Sequence, residues 1–285
     1  MKIKKPNLKE SVRKLQQAKQ RKQKIQKHKE RLQQPPKKST FQIHVHSENK
    51  KKYEIPFTEK STVLVVGDGN FSFSRALFDR IQIPIVATCY DSEDEVLRKY
   101  VSSRDNIDYL VENGCSVLFE IDARKMHTGR ALKNKRFSRI IFNFPHVGSG
   151  IKDQDRNIIA NQTLLKEFFL SAASLLATDG PFYSLRTYNT SKPYNDDLTS
   201  TDYIADQGFH QLNEEPEIHV TIWQGSPYDL WDIKKLIPNS LTCKESFEFQ
   251  PEKYDGYIHR RTIGDTADNE FEEKKSRTFV FKRKE

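Results

Sequence analysis

Cysteine is scarce in this sequence, and the spacing of the cysteines excludes two kinds of site. Cys89, Cys115 and Cys243 are an odd number and form no C-x-x-C pair, so neither a disulfide framework nor a zinc site is indicated. We expect reduced thiols, with Cys89 and Cys115 buried as small apolar groups. Because no cysteine lies in a motif, the sequence argues against chemistry that proceeds through a thiol adduct.

Long apolar runs are absent as well. No stretch approaches the roughly 20 uninterrupted apolar residues that span a bilayer, and the first five residues, MKIKK, lack the apolar run of a signal peptide. We therefore expect an intracellular protein that makes no contact with a membrane. A chain of 285 residues with 35% apolar content is sufficient for one globular domain with polar margins, and we expect it to be a monomer.

Positive charge is concentrated at one end of the chain. Residues 1–40 contain 15 Lys and Arg against two Glu, whereas the remaining 245 residues carry a net charge of −4. Such a segment neutralises phosphates and releases their counterions, which predicts an RNA-binding arm at 1–40, disordered or helical, in which Arg21, Lys22 and Lys24 contact RNA. The alternative is a nuclear or nucleolar address. We expect a linker at 41–56 and one domain at 57–285.

From residue 57 onward, short β-branched runs alternate with amphipathic stretches, which is typical of an α/β domain with a parallel sheet. Ser92 and Glu95 form a capping box that predicts a helix start. The long stretch at 224–276 has little periodicity and is a candidate substrate loop. The predicted strands are 62–66, 83–90, 117–121, 139–142, 182–186, 218–223 and 278–281. The predicted helices are 74–80, 92–100, 106–113, 158–176 and 198–206.

A glycine loop follows the first predicted strand. It has the first two glycines of a dinucleotide fingerprint, but Ser72 stands where the third would be. A ligand without phosphates needs the first two more than the third, so the loop favours an adenosyl ligand. A plain strand-to-helix turn is the alternative. The residues predicted to bind the ligand are Gly67, Asp68, Gly69, Asn70, Phe71 and Ser72.

Acidic residues follow the next two predicted strands. Asp91 lies 22 residues beyond Gly69, about where a Rossmann-type fold places a carboxylate against ribose hydroxyls. Asp122 and Ala123 end the third strand, where a carboxylate can accept a hydrogen bond from an adenine amino group. Each acid alone is equally well a helix cap or a surface residue. Together with the glycine loop, they indicate a ligand site.

The fourth predicted strand runs into Asn143, Phe144, Pro145 and His146. This segment resembles, in kind but not letter for letter, the Asn-Pro-Pro-Tyr motif of enzymes that methylate nitrogen. In those enzymes the Asn oxygen and a backbone carbonyl accept hydrogen bonds from the target nitrogen, and the ring stacks on an extruded base. We therefore place Asn143, Pro145 and His146 in a catalytic site, with Asn143 also near the cofactor. The alternative is a strand end followed by an exposed loop.

Aromatic and basic residues cluster before the last predicted strand. Tyr257, His259, Arg260 and Arg261 are suited to stacking on bases and contacting phosphates, so we assign them to RNA binding, with an ordinary polar loop as the alternative. Tyr254 belongs to the same cluster. Two tryptophans, at positions 223 and 231, are expected to be packing residues.

Four segments resemble the fungal 25S rRNA (uridine-N3)-methyltransferase family. They are 67–74 (GDGNFSFS), 87–92, 143–148 (NFPHVG) and 260–264. The resemblance spans roughly residues 57–283. It implies a class I Rossmann-like methyltransferase with a seven-stranded, mostly parallel sheet, helices on both faces and an antiparallel last strand. It also implies S-adenosylmethionine as donor, N3 of a uridine in large-subunit ribosomal RNA as acceptor and S-adenosylhomocysteine as product. The implied partner is ribosomal RNA or a pre-ribosomal particle, and the implied place of work is the nucleolus.

Methylation of uridine N3 requires that its proton leave, and the sequence offers two acceptors. His146 is our first hypothesis for the base and Asp68 the second, with Asn143 orienting the imide edge. N3 lies on the pairing edge, so the base must be unpaired or flipped. The rivals are methylation of another base or position, an RNA-binding ribosome-assembly factor without turnover, and a nicotinamide-dependent oxidoreductase. Ser72 and the lack of a recognisable Tyr-x-x-x-Lys pair disfavour the last.

Overall fold

The computed structural model describes residues 57–178, 214–260 and 274–285. These residues belong to one unit, Tyr53–Glu285. The predicted basic arm with Arg21, Lys22 and Lys24, the whole linker at 41–56, the strand at 182–186, the helix at 198–206 and Arg261 all lie outside the described residues.

A seven-stranded sheet of order β3-β2-β1-β4-β5-β7-β6 forms the centre of the fold. Strands β1 to β5 run parallel, and β7 lies antiparallel between β5 and β6, which confirms the mostly parallel sheet and its antiparallel last strand. The strands are β1 Val63–Val66, β2 Ile85–Thr88, β3 Ser116–Leu118, β4 Arg139–Asn143, β5 Glu217–Trp223, β6 Leu241–Glu248 and β7 Ser276–Arg283.

Helices cover both faces of the sheet. Successive residues of a strand point to opposite sides, and since those of β1 are apolar on both sides, each face needs a cover. On one face Leu64 and Val66 of β1 pack in a core with Phe168 and Phe169 of the longest helix. On the other face Val63 belongs to a core built with the remaining helices. The helices are α1 Ser72–Ile81, α2 Glu93–Lys99, α3 Ser103–Glu112 and α4 Gln154–Leu175. The capping box at the start of α2 is present, as predicted.

The description of 224–276 as a loop of little periodicity is wrong. Its described residues, 224–260 and 274–276, include β6 and three short 3₁₀ helices, Tyr228–Trp231, Ile233–Lys235 and Pro251–Lys253. The role of this region in substrate binding stays a prediction. Strand β6 escaped prediction because it is an edge strand, and most of its residues are half-buried and do not alternate cleanly between apolar and polar. Seven strands are described, as many as were predicted, but the two sets differ. Strand β6 was not predicted, and the predicted strand at 182–186 lies outside the described residues.

Among the described residues, no helix is both long enough and apolar enough to cross a membrane.

Candidate active site

A cavity of about 340 Å³ opens at the carboxyl ends of β1, β4 and β5. Parallel strands end at the same edge of a sheet, so the loops that follow them meet there. The glycine loop and the segment after β4 face each other across this cavity, together with a segment that precedes β7. The lining includes 65–70, 143–146, 222–223 and 257–260.

The glycine loop is shaped by Gly67 and Asp68. Gly67 has a φ of +67°, and a Cβ at this position would lie 2.9 Å from Cε2 of Phe142, so only glycine fits between the loop and β4. Asp68 accepts a hydrogen bond at Oδ2 from the backbone N–H of Ser74, at 2.6 Å, in the first turn of α1. The carboxylate thereby satisfies a free N–H of the helix and stays at the cavity wall.

The structure divides the residues of this loop into two groups. Gly67, Asp68, Gly69 and Asn70 line the cavity, whereas Phe71 and Ser72 are not among its lining residues. Phe71 is fully buried in the core on the α1 side. Ser72 is buried as well, and its hydroxyl donates to the backbone oxygen of Ile258. The contacts of all six residues with a ligand stay predictions, and the cavity supports them for the first four.

The two strand-end acids have partners within the protein. Asp91 forms an ion pair with Lys99 at 2.8 Å, and Asp122 forms one with Arg124 at 2.7 Å. Among the described residues that line the cavity, neither acid occurs, nor does the buried Ala123. Their contacts to ribose and adenine therefore stay predictions.

Asn143 ends β4 and contacts the neighbouring strand. Its Oδ1 accepts a hydrogen bond from the hydroxyl of Thr221 at 2.7 Å. Its Nδ2 is buried and has no hydrogen-bond partner among the described residues. The oxygen, which the motif comparison assigned to the target nitrogen, thus already accepts one hydrogen bond, whereas the amide nitrogen has its full donor capacity for a ligand.

Aromatic rings form one wall of the cavity. Phe144 stacks on Trp223 with ring centroids 4.3 Å apart, and the ring of His259 meets both of them edge-on, at 4.6 and 5.1 Å. Phe144 has a φ of +50°, a conformation that is costly for a bulky residue. The wall therefore depends on the packing that holds Phe144 in place.

His146 lines the cavity, but its lone pair is occupied. Gly148 donates its backbone N–H to Nδ1 of His146 at 3.0 Å, and burial lowers the pKa of the imidazole. In the neutral ring that results, the proton resides on Nε2. His146 in this position can donate a hydrogen bond but cannot accept a proton unless it releases Gly148.

Asp68 has the properties of a proton acceptor. Burial raises its pKa to about 6, although the backbone N–H groups of Phe73 and Ser74, which donate to the carboxylate, act in the opposite direction. A carboxylate with this pKa is ionised at neutral pH and more basic than an ordinary Asp, which suits a general base.

Three of the residues predicted to bind RNA lie in the segment before β7 and belong to the cavity lining. Tyr257, His259 and Arg260 line the cavity, and the hydroxyl of Tyr257 lies 3.2 Å from Nδ1 of His259. Tyr254 is instead a packing residue, stacked on Phe249 at 5.5 Å in the core. Whether these residues bind RNA stays a prediction.

Two tryptophans have a second role that sequence reasoning missed. Trp223 and Trp231 are buried, as expected of packing residues, but both also line the cavity. Nε1 of Trp231 is buried without a hydrogen-bond partner among the described residues. The position of Trp223 at the carboxyl end of a strand parallel to β4 was the signal that could have identified it.

The cysteines are free, and Cys89 and Cys115 are buried as predicted. Burial raises the pKa of Cys89 to about 12, so this thiol is not a nucleophile at neutral pH.

Comparison with solved structures gives distant likenesses. A putative RNA methyltransferase from Pyrococcus horikoshii covers 79% of this chain and 76% of its own, with 13% identity and a TM-score of 0.40. An rRNA methylase from Streptococcus thermophilus covers 80% and 89%, with 12% identity and a TM-score of 0.37. At these scores the likeness adds nothing to the strand order, which is that of the predicted class I Rossmann-like methyltransferase sheet.

Sequence comparison is more specific. The 25S rRNA (uridine(2634)-N(3))-methyltransferase of Saccharomyces cerevisiae is 32% identical over 235 residues, which cover 73% of this chain and 68% of the yeast protein. An uncharacterized protein of Arabidopsis thaliana is 30% identical over 221 residues, covering 75% and 88%. The model of the BMT5-like family, described as rRNA (uridine-N3-)-methyltransferase, matches residues 64–261, and the chain belongs to this family.

Proposed function

We propose that this protein transfers a methyl group from S-adenosylmethionine to N3 of a uridine in large-subunit ribosomal RNA. The observation that carries the proposal is the cavity that brings the glycine loop and the Asn143–His146 segment together in a member of this family. It is supported by the yeast relative, whose name specifies a uridine N3 of 25S rRNA.

The residues present fit the proposed donor. Gly67, Asp68, Gly69 and Asn70 line the cavity, and the two glycines allow a ligand to approach the backbone closely. The stacked rings of Phe144 and Trp223 suit a sulfonium cation. Asp91 and Asp122 are proposed to bind the ribose and adenine. The donor supplies an electrophilic methyl group, and the protein's main task is to position it against the acceptor nitrogen.

Asp68 is the proton acceptor in this proposal, and His146 is a positioning residue. The N3 proton of uridine passes to the Asp68 carboxylate, whereas the Nε2–H of His146 is a donor that can bind the RNA. This reverses the order of preference reached from sequence. Tyr257, His259 and Arg260 are proposed to hold the flipped base and its phosphates at the mouth of the cavity.

The basic arm at 1–40 is proposed to bind ribosomal RNA away from the reacting uridine, through phosphates and without sequence preference. Work in the nucleolus and the pre-ribosomal particle as partner are proposed with it.

One experiment tests the function. The protein is incubated with total RNA and methyl-labelled donor, and the modified nucleoside is identified by mass spectrometry. We expect N3-methyluridine in large-subunit RNA. Methylated cytidine or adenosine instead would contradict the choice of base, and binding of S-adenosylhomocysteine without methyl transfer would favour an assembly factor. Calorimetric binding of NAD in place of S-adenosylhomocysteine would favour an oxidoreductase.

A further inference from the structure

Three polar side chains lie in a row across three adjacent strands beneath the cavity. Asn143 of β4 is in register with Thr221 of β5, and Thr221 is in register with Thr278 of β7. The hydroxyl of Thr221 lies 2.7 Å from Oδ1 of Asn143 and 2.9 Å from the hydroxyl of Thr278. The two threonines are only 1% and 3% exposed, so no bulk water competes for their hydrogen bonds.

The hydrogen bonds of this row have one favourable direction. Thr221 is the sole hydrogen-bond partner that the described part of the chain offers to the Thr278 hydroxyl. If Thr278 donates to Thr221 and Thr221 donates to Asn143, every hydroxyl hydrogen in the row has an acceptor. In the reverse direction, with Asn143 donating to Thr221, the hydroxyl hydrogen of Thr278 would be buried without an acceptor, which is unfavourable.

The direction of the row determines what Asn143 presents to a ligand. Thr221 holds the amide in the orientation in which Oδ1 accepts from it, and the buried Nδ2 of this cavity-lining residue has no partner among the described residues. It can only donate a hydrogen bond. The indole Nε1 of Trp231 is a second buried donor without a partner among the described residues of the same lining.

We propose that the Thr278–Thr221–Asn143 row fixes Asn143 as a hydrogen-bond donor to a carbonyl oxygen of the acceptor base, and that Thr221 and Thr278 are positioning residues for this contact. Uracil has a carbonyl on each side of N3, so donors suit it, whereas the amino group of cytosine or adenine would face a donor with a donor. Once N3 has lost its proton, the charge that remains is shared by both carbonyl oxygens, where N–H donors stabilise it. The choice of base rests on the proposed function; the orientation of the amide does not.

The test compares valine and serine at the two threonines. Valine keeps the shape but removes the hydroxyl, and serine keeps the hydroxyl. For T221V we expect kcat on the uridine-containing RNA to fall about 10- to 100-fold, and for T221S to stay within about threefold of wild type. T278V should lose less, and T221V/T278V should be no slower than T221V within about twofold, because Thr278 acts only through Thr221.

Two further readouts separate positioning from general damage. Affinity for S-adenosylhomocysteine and the melting temperature should be unchanged in T221S, and affinity should be unchanged in T221V. An RNA with 4-thiouridine or 2-thiouridine at the target replaces one carbonyl by a poorer acceptor. At least one of these RNAs should slow the wild type and make little difference to T221V.

Several results would overturn the proposal. These are full activity of T221V, multiplicative losses in the double variant, or equal sensitivity of wild type and T221V to both thio-substitutions. A parallel loss of S-adenosylhomocysteine affinity would show that the amide holds the donor's carboxylate instead. If T221V does not fold, T278V with its serine control decides by the same criteria. A wild-type product other than N3-methyluridine would refute the proposed function and the choice of base, whereas the effect of T221V on that product would still report on the row.

Discussion

The backbone N–H of Gly148 donates to Nδ1 of His146 at 3.0 Å, and this contact determines whether His146 can accept a proton. With the lone pair of Nδ1 engaged and the proton on Nε2, the imidazole faces the cavity as a donor. Asp68 also lines the cavity, and burial raises its pKa to about 6, so it is the acceptor that we propose for the uridine proton.

D68N should lower kcat by at least about 100-fold, the usual contribution of a general base. In wild type, kcat should rise with pH through about 6, because the base must be ionised and burial has raised its pKa to that value. His146→Ala should keep this acidic limb and lose activity mainly through a higher KM for RNA. The measurement is a kcat profile from pH 5 to 9 with each variant. Loss of the limb in H146A together with its persistence in D68N would return the base to His146.

The same carboxylate should lower stability at neutral pH. The folded protein retains the Asp68 proton up to about pH 6, whereas the ordinary value is 3.8, so the free energy of unfolding falls as the pH rises through this window. Above pH 6, the free energy of unfolding is lower by at most roughly 3 kcal/mol. D68N should therefore raise the melting temperature at pH 8 but not at pH 4. An unchanged difference between the two pH values would contradict the raised pKa.

Gly67→Ala should destabilise the protein and abolish donor binding. Gly67 and Gly150 both have positive φ, but of these two only Gly67 has a neighbour within 4 Å of the place a Cβ would occupy, the buried ring of Phe142. G150A should cost about 1 kcal/mol through backbone strain alone, and G67A about 2 kcal/mol or more. Thermal unfolding and calorimetric binding of S-adenosylhomocysteine check both. Equal effects of the two variants would show that the contact with Phe142 is relieved cheaply.

Glu217 should stabilise the fold in a pH-dependent manner. Burial opposes its ionisation, but hydrogen bonds from His219 and Lys244 outweigh this effect and lower its pKa to about 2 from 4.5. The resulting stability, at most roughly 3 kcal/mol, is fully present above pH 4.5 and is lost as the pH falls towards 2. E217Q should lower stability at pH 6 and flatten the acid unfolding curve. The exposed Glu252 offers a control, and E252Q should leave the curve unchanged.

Deletion of residues 1–40 should weaken RNA binding most at low salt. The segment carries a net charge of +13, and about five phosphate contacts would contribute roughly 3.5 to 4.5 units to the magnitude of the slope of log K against log salt. Affinity of the full chain and the shortened chain for the same RNA, measured from 50 to 200 mM salt, checks this. Identical slopes would leave the segment with a targeting role alone.

Features that depend on neighbouring residues in sequence were predictable. The apolar run of β1 followed by glycine, and the capping box of α2, appear in the structure where the pattern placed them, because a buried strand and a helix start are encoded locally. The Asn143–His146 segment was likewise recognisable, and it does line the cavity.

Features that depend on pairing between distant residues were not predictable. Thr221 and Thr278 belong to no motif in the sequence, and only the register of β5 with β7 places them beside Asn143. The tautomer of His146 follows from the backbone of Gly148. The partners of Asp91 and Asp122 come from side-chain geometry that no spacing rule provides.

The position of β7 has a consequence for how this sheet is completed during synthesis. Strand β6 leaves the ribosome before β7, yet within the described sheet its single neighbour is β7, which inserts between it and β5. Until residues 276–283 are available, both facing edges carry unpaired backbone groups. Within the described sheet, the facing edges of β5 and β6 therefore stay open until β7 emerges, and we expect them to be sites of early misfolding or self-association.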